Sequence, residues 1–192
     1  NKVIKIIEEM KGNAFPVQID ITKRKSVIAL TEVALAKYGH IDCLVNNAGL
    51  LDQKPFWEIT DGDWNQLINT NLNGAFLCTQ EIAKKMRDGG TIVNVSSIGA
   101  QIGGTKAPHY AAAKGAILTF TKSTAQLLAK RRIRVNAISP GFIRTEMYEQ
   151  ILSKNNQDEE NIISTIPLNR IGTPEDVARA VSFLVSTKAS YI

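Results

Sequence analysis

Two residues stand on a helix face whose neighbours are apolar. Tyr110 and Lys114 lie four positions apart, which stacks them on the same side of one helix as Ile117 and Leu118. A lysine there is costly unless it is paired, used, or snorkelling its ammonium to solvent. Chance alone gives Tyr-x-x-x-Lys about one time in three in a chain of this composition, so the spacing by itself decides nothing. The chemistry on offer is specific. A phenol ionises near pH ~10, and an adjacent ammonium stabilises the phenolate and pulls that value toward neutrality. Such a phenol is a general acid or base that can hand a proton to a carbonyl oxygen. A hydroxyl at a neighbouring strand end would orient that oxygen, and Ser97 is one, although Ser96-Ser97 reads equally as a plain strand-to-loop turn. Asn71 breaks a second apolar stripe, between Ile68 and Leu72. A buried amide must be hydrogen-bonded, so Asn71 either satisfies nearby backbone or bends its helix around a water.

The elements that position these residues alternate in type. Four β-rich runs, at residues 15–19 (FPVQI), 42–45 (DCLV), 91–95 (TIVNV) and 134–138 (RVNAI), each end in a polar or Gly/Pro turn. A helical pattern follows each run, which argues for βαβ units and a parallel sheet. Ligands of such sheets sit beyond the carboxyl ends of the strands, so Asp20, Asn46-Asn47-Ala48-Gly49, Ser96-Ser97 and Ser139-Pro140-Gly141 point at one cleft. From Trp64 to Met86, Leu67, Ile68, Leu72, Ala75, Phe76, Ile82 and Ala83 recur at helical spacing, with Thr60 or Asp61 as N-cap. A second helix carries Ala113, Ile117, Leu118, Thr121, Ala125 and Leu128 on one face, and Thr173-Pro174-Glu175-Asp176 opens a third. The opening NKVIKIIEEMKG reads as a charged helix. Residues 144–167 read either as a mobile flap over the cleft or as a solvated helix–loop.

Composition narrows the classes. The 192 residues are 44% hydrophobic and 21% charged, which suits one globular domain. Cys43 and Cys78 lack disulfide-scaffold or metal-site spacing, and no apolar run approaches a membrane span. The net charge of +5 has one basic block, Lys130-Arg131-Arg132-Ile133-Arg134, without interleaved aromatics, so nucleic-acid binding is not indicated. A cytoplasmic protein with a small-molecule substrate and no membrane or nucleic-acid partner is the expectation.

Taken together, Asn46-Asn47-Ala48-Gly49, Asn71, Ser97, Tyr110-Ala111-Ala112-Ala113-Lys114 and Pro140-Gly141 stand in one order with one spacing. This set resembles the short-chain dehydrogenase/reductase family across essentially the whole chain, most closely its 3-oxoacyl-[acyl-carrier-protein] reductase type, with sugar and polyol dehydrogenases as the alternative. The resemblance implies a doubly wound, Rossmann-like α/β fold and an NAD- or NADP-dependent exchange of hydride between nicotinamide and a carbonyl or secondary alcohol. It assigns Tyr110 as acid/base, Lys114 as its modulator and ribose ligand, Ser97 as the holder of the substrate oxygen, and Asn71 as the seat of a relay water. It further places Asp20 and Ile21 at the adenine, Asn47, Ala48 and Gly49 at the adenosine ribose, the Ile143 amide at the nicotinamide carboxamide, and Thr145 at that amide or the phosphates. A homotetramer built on helices 64–86 and 110–128 is the state it implies. An acyl-carrier protein would be the partner, docking on the basic block with Arg131 foremost, though a solubilising helix end explains that block equally well.

Two family pieces are missing from the sequence. There is no TGxxxGxG turn, since Gly12 stands alone and Gly99, Gly103 and Gly104 fall on the substrate side. The resemblance therefore implies a single domain, residues 1–192, lacking its first two strands and last strand, about 45 residues in front and about 15 or more behind. A catalytically silent scaffold is the competing class of function. The intact Asn71, Ser97, Tyr110 and Lys114 set argues against it.

Overall fold

The computed structural model of the chain describes residues 2–104, 106–154 and 159–192. In chain order its principal elements are α1 (Lys2–Glu9), α2 (Arg24–Tyr38), β1 (Cys43–Asn46), α3 (Asp61–Ile68), α4 (Gly74–Lys85), β2 (Thr91–Val95), α5 (Gly99–Ile102), α6 (Pro108–Leu128), β3 (Arg134–Ile138), α7 (Glu146–Lys154), α8 (Glu159–Ser164) and α9 (Pro174–Val185). The strands form a parallel sheet in the order β1-β2-β3, with Val45 opposite Val93 and Val93 opposite Asn136. The central strand is buried on both faces, which is why TIVNV is apolar almost throughout rather than alternating.

Pleating sorts the side chains between two helical layers. On one face, Leu44, Ile92 and Val135 pack with Val27 of α2, Leu77, Cys78 and Ile82 of α4, and Leu128 of α6. On the other, Val45 and Val95 border a cavity whose far wall is Val177 and Val181 of α9. Helices on both faces of a parallel sheet make the doubly wound arrangement expected from the sequence. The helix starts follow local rules: Thr60 and Thr173 each accept from the backbone three residues on, and Asp63 and Asp176 return the bond in capping boxes.

The run at residues 15–19 differs from expectation. It forms no strand: Ile19 and Ile21 reach the core cluster, but among the described residues no backbone ladder pairs this segment. β-forming side chains favour burial, whereas a strand also needs a neighbouring backbone to bond with. The helix expected over residues 64–86 is also interrupted. Asn69–Asn73 form a π-helical turn between α3 and α4. The surplus residue shifts the phase of α4, so Leu77, Cys78 and Glu81 are buried while Phe76, an expected core position, stays 37% exposed. Residues 144–167 fold into α7 and α8, with residues 155–158 of the polar stretch lying outside the described residues.

Arg131 faces inward. Its guanidinium donates to the carbonyls of Ala83 and Met86, which end α4, and its Nε donates to Asp88 at 2.8 Å. A cation on the last carbonyls of a helix satisfies acceptors that have no intrahelical partner and complements the helix dipole. Arg131 is thus committed to the fold and is not free for docking. Replacing it with Met is expected to cost about 1.5–3 kcal/mol of stability, the range for a hydrogen bond to a charged group. Urea unfolding of the purified protein measures this, with the exposed neighbour Arg132→Ala changing stability by less than about 0.5 kcal/mol.

Candidate active site

The site forms where β2 ends against the first turns of α6. Pro108 at the first helical position starts α6, and Tyr110 and Lys114 follow on the face turned to the sheet. Lys114 does not snorkel. It is 4% exposed, and its Nζ donates to the carbonyl of Val95, the last residue of β2, at 2.8 Å. One position on, the Ser96 hydroxyl donates to the Lys114 carbonyl at 2.8 Å. Strand end and helix are thereby stapled twice. Ser96 was not legible as a functional position, because a serine pair at a strand end does not reveal which hydroxyl turns inward. Ser97 turns the other way. Its Oγ accepts from the Gly99 amide at 3.1 Å and is hydrogen-bonded to Tyr110.

The electrostatics follow from burial. Removal from water pushes the Tyr110 phenol above its ordinary value, and the Ser97 hydrogen bond pulls it partly back. The ammonium of Lys114 lies 5.7 Å from the Tyr110 ring centroid. Burial lowers the Lys114 pKa to about 8. The lowered phenol pKa expected from the lysine is therefore not what this state has. Desolvation dominates, and the phenol holds its proton at neutral pH.

Asn71 lies inside the π turn and is 2% exposed. Its Nδ2 donates to the carbonyls of Leu67 (3.2 Å) and Leu50 (2.7 Å), and its Oδ1 accepts from the Leu50 amide at 3.0 Å. Both sequence readings of Asn71 hold in part, since it satisfies backbone and its helix is distorted. The bonds to Leu50 pull the loop after β1 onto the helix. A Cβ on Gly49 would come within 2.7 Å of Asn71 Oδ1 and 3.4 Å of Lys114 Nζ, so glycine is what lets this loop close over the two side chains.

Two large cavities meet at Tyr110 and Ser97. One, of about 850 Å³, is lined by Asn47, Ala48, Gly49, Lys114, Ile143 and Thr145 among others. The other, of about 920 Å³, is walled mainly by apolar groups such as Leu51, Ile98, Ile102, Phe142, Ile166 and Leu168. The first fits the nicotinamide and ribose half of a dinucleotide. Of the three N–H groups on Lys114 one is used, and among the described residues the other two meet no acceptor, which suits ribose hydroxyls. Gly141 at its rim has nothing within 4 Å of where a Cβ would stand. No glycine-rich turn of the pyrophosphate-binding kind lies among the residues around it. Thr145 lines the cavity and caps α7, its Oγ1 accepting from the Tyr148 amide at 3.3 Å.

Asp20 and Ile21 are not brought to this cavity. Asp20 accepts from the amide and hydroxyl of Thr22 at 3.0 and 2.6 Å, which holds its carboxyl below the usual range, and Ile21 packs against Gly74 of α4. Met147, Tyr148 and Leu152 of α7 border the site, within the segment 144–167 that the sequence offered as a flap over the cleft; which of its side chains turn inward was not legible. Among the described residues no cluster of His, Cys, Asp or Glu is placed to hold a metal, and no helix is long and apolar enough to cross a membrane.

Comparison with known proteins agrees with this geometry. The family model described as enoyl-(acyl carrier protein) reductase matches residues 1–192. The 3-oxoacyl-[acyl-carrier-protein] reductase FabG of Thermotoga maritima is 39% identical over 194 residues, covering 100% of this chain and 78% of that protein. A short-chain dehydrogenase/reductase from Brucella melitensis, described as glucose/ribitol dehydrogenase, matches with a TM-score of 0.90 at 29% identity, covering 100% of this chain and 78% of its own. The structure of ElxO with NADP bound matches with a TM-score of 0.85 at 33% identity, over 92% of this chain and 72% of its own. With the Ser97, Tyr110 and Lys114 geometry in place and relatives matched along its full length, the chain belongs to the short-chain dehydrogenase/reductase family of NAD(P)-dependent oxidoreductases.

Proposed function

We propose that the chain reduces a 3-oxoacyl thioester carried on acyl-carrier protein to the 3-hydroxyacyl thioester, using NADH or NADPH. The observation that carries this reading is the pair of adjacent hydroxyls, Ser97 and Tyr110, at the junction of an apolar cavity and a polar one, with a buried ammonium beneath. A bound reduced nicotinamide supplies the hydride, two electrons and one hydrogen, that the carbonyl carbon accepts. Ser97 donates to the carbonyl oxygen and orients it. Tyr110 delivers its phenolic proton to that oxygen as negative charge builds there, and the Lys114 ammonium stabilises the phenolate left behind. Asn71 holds the Gly49–Leu50 loop in place and, in its π turn, is the seat assigned to a water that relays a proton back toward Lys114. Ile143 and Thr145 hold the nicotinamide side, and Asn47, Ala48 and Gly49, assigned to the adenosine ribose, line the same cavity. Asp20 and Ile21 are assigned to the adenine side.

The thioester is favoured over a polyol by the walls of the 920 Å³ cavity. A polyol would bury several hydroxyls against Leu51, Ile102, Phe142 and Leu168 without partners, which is costly. The family description and the Thermotoga maritima relative both name acyl-carrier-protein substrates. With Arg131 turned inward, the exposed cations of the basic block that face an acidic carrier are Lys130 and Arg132. The same reading has copies of the chain associating through α4 and α6 as a homotetramer, where Phe76 and Leu127 remain exposed. It places the protein in the cytoplasm, in keeping with the free thiols of Cys43 and Cys78.

Three outcomes test the reading. Tyr110→Phe is expected to lower kcat for a 3-oxobutanoyl thioester by about 10²–10⁴-fold with an unchanged melting temperature; retention of activity sinks the acid role. Gly49→Ala forces a methyl onto Asn71 Oδ1, and it is expected to cost about 1–3 kcal/mol and to lower kcat, both read on the purified protein. The pH dependence follows from Lys114. Its cation is present below its pKa of about 8 and lost above it. The reduction rate is therefore expected to fall as pH rises through that value, and a profile flat from roughly pH 7 to 10 contradicts it.

A further inference from the structure

Beyond β3 the chain makes one more strand-like contact. Ile143 forms an isolated parallel bridge with Gly172, whose amide donates to the Phe142 carbonyl at 2.9 Å and whose carbonyl accepts from the Arg144 amide at 2.9 Å. In such a bridge the central residue bonds to neither, so the N–H and C=O of Ile143 itself turn away from Gly172. The Thr145 hydroxyl donates to that carbonyl at 3.4 Å, whereas the Ile143 amide meets no acceptor among the described residues. Gly141, Ile143 and Thr145 line the 850 Å³ cavity, while Phe142 and Gly172 border the other one. The bridge thus leaves one free donor on the polar side.

Two hydrogen bonds without a flanking ladder do not hold a segment by themselves. The Gly172 side is secured by a clasp. Asp176 Oδ2 accepts from the Arg170 guanidinium at 2.7 Å and from the Thr173 amide at 2.9 Å, in the capping box that opens α9. The guanidinium first, and the amide with it, hold that carboxyl well below the usual range. One oxygen thereby closes residues 170–176 into a ring with Gly172 inside it. The buried side chain of Ile171 anchors the same turn in the interior. A Cβ on Gly172 would stand 2.6 Å from Ile143 Cδ1 and 3.4 Å from the Phe142 carbonyl oxygen, so the two segments meet through the space of a missing side chain.

We infer that Arg170, Gly172 and Asp176 are positioning residues for the nicotinamide, acting through the bridge that holds the Ile143 amide toward the carboxamide oxygen. This rests on the proposed seat of the nicotinamide. A carboxamide oxygen takes a donor, Ile143 has one unused, and the bridge decides which way it faces. The Arg170 side chain is half-exposed, so its ion pair adds little to folding and acts chiefly on where the turn sits. The adenine end of a dinucleotide gains nothing from the clasp.

The test compares the purified protein with Arg170→Met, Arg170→Lys and Gly172→Ala. Each is titrated, by fluorescence and calorimetry, with the reduced dinucleotide it prefers, NADH or NADPH, and with the matching ADP-ribose fragment that lacks nicotinamide. Arg170→Met is expected to weaken the dinucleotide about three- to tenfold, to change the fragment less than about twofold, and to leave the melting temperature within about 2 °C. KM for the dinucleotide is expected to rise in step, with KM for the thioester unchanged. Arg170→Lys keeps a cation near Asp176 and is expected to recover most of the loss. Gly172→Ala forces the bridge apart and is expected to reproduce the split between dinucleotide and fragment. Equal losses for both ligands, or no loss for either, overturn the positioning role and leave the reductase reading intact. An unaltered protein that binds neither dinucleotide nor fragment overturns both. Should Arg170→Met fail to fold, Gly172→Ala decides.

Discussion

An ammonium that is 4% exposed has to be satisfied, and much of the local architecture is the means of doing so. Burial opposes the charged form of Lys114, so every group around it is arranged to keep that charge useful. The carbonyl at the end of β2 takes one of its protons, which requires the strand to stop at Val95. The Ser96 hydroxyl fixes the Lys114 backbone to the same strand end, so the side chain cannot swing out. Gly49 lets the neighbouring loop approach within a distance that no side chain would tolerate. What remains of the donor capacity of Lys114 faces a cavity. A cation stabilised on one side and unsatisfied on the other is poised to bind a hydroxylic ligand, and that asymmetry gives this corner of the fold its chemistry.

The strand ends are held to one another by a chain of buried amides and hydroxyls. Asn46 donates to Asn94 (2.8 Å) and to Thr79 of α4 (3.0 Å), Asn94 donates to Thr121 of α6 (2.9 Å), and Thr121 donates on to the Ile117 carbonyl (2.7 Å). An aliphatic core would hold the layers together but permit sliding. Directional bonds between β1, β2, α4 and α6 set their register, because each misalignment would leave a buried polar group unpaired. The site stands immediately beyond this chain, so the registration is transmitted to Asn47, Ser96 and Lys114.

What could be read from the sequence divides along a physical line. Strands 91–95 and 134–138, the Thr173 cap and the burial of Ala113 and Ile117 were legible, because each depends on local pattern or on apolar periodicity. The Ser97, Tyr110, Lys114 and Asn71 set came from the family resemblance rather than from spacing alone, and the structure brings those four side chains around one loop and one strand end. Residues 15–19 were misread, because a ladder partner is a property of another segment. Arg131 was left between docking and a helix-end role for a similar reason: its destination, the last carbonyls of α4, lies more than 40 positions back in the chain. The Tyr110 phenol was misjudged in direction, since composition reveals that a lysine is near but not how dry the pair will be.

The π turn at Asn69–Asn73 makes α3 and α4 a counted object. A residue advances an α-helix by about 100°, so one surplus residue acts as a frame shift in rotation rather than in code. The capped start at Thr60 and the Arg131-bound end of α4 pin both termini, which leaves no loop in which a change of length can be absorbed. Loss of one residue between them would restore an unbroken helix and release the Asn71 amide from Leu50. Regularising the turn without that loss would instead turn Leu77 and Cys78 away from the sheet and bring Phe76 toward it. Chain length and helix geometry in this segment therefore have to match, because the position of Asn71 and the buried face of α4 depend on the same turn.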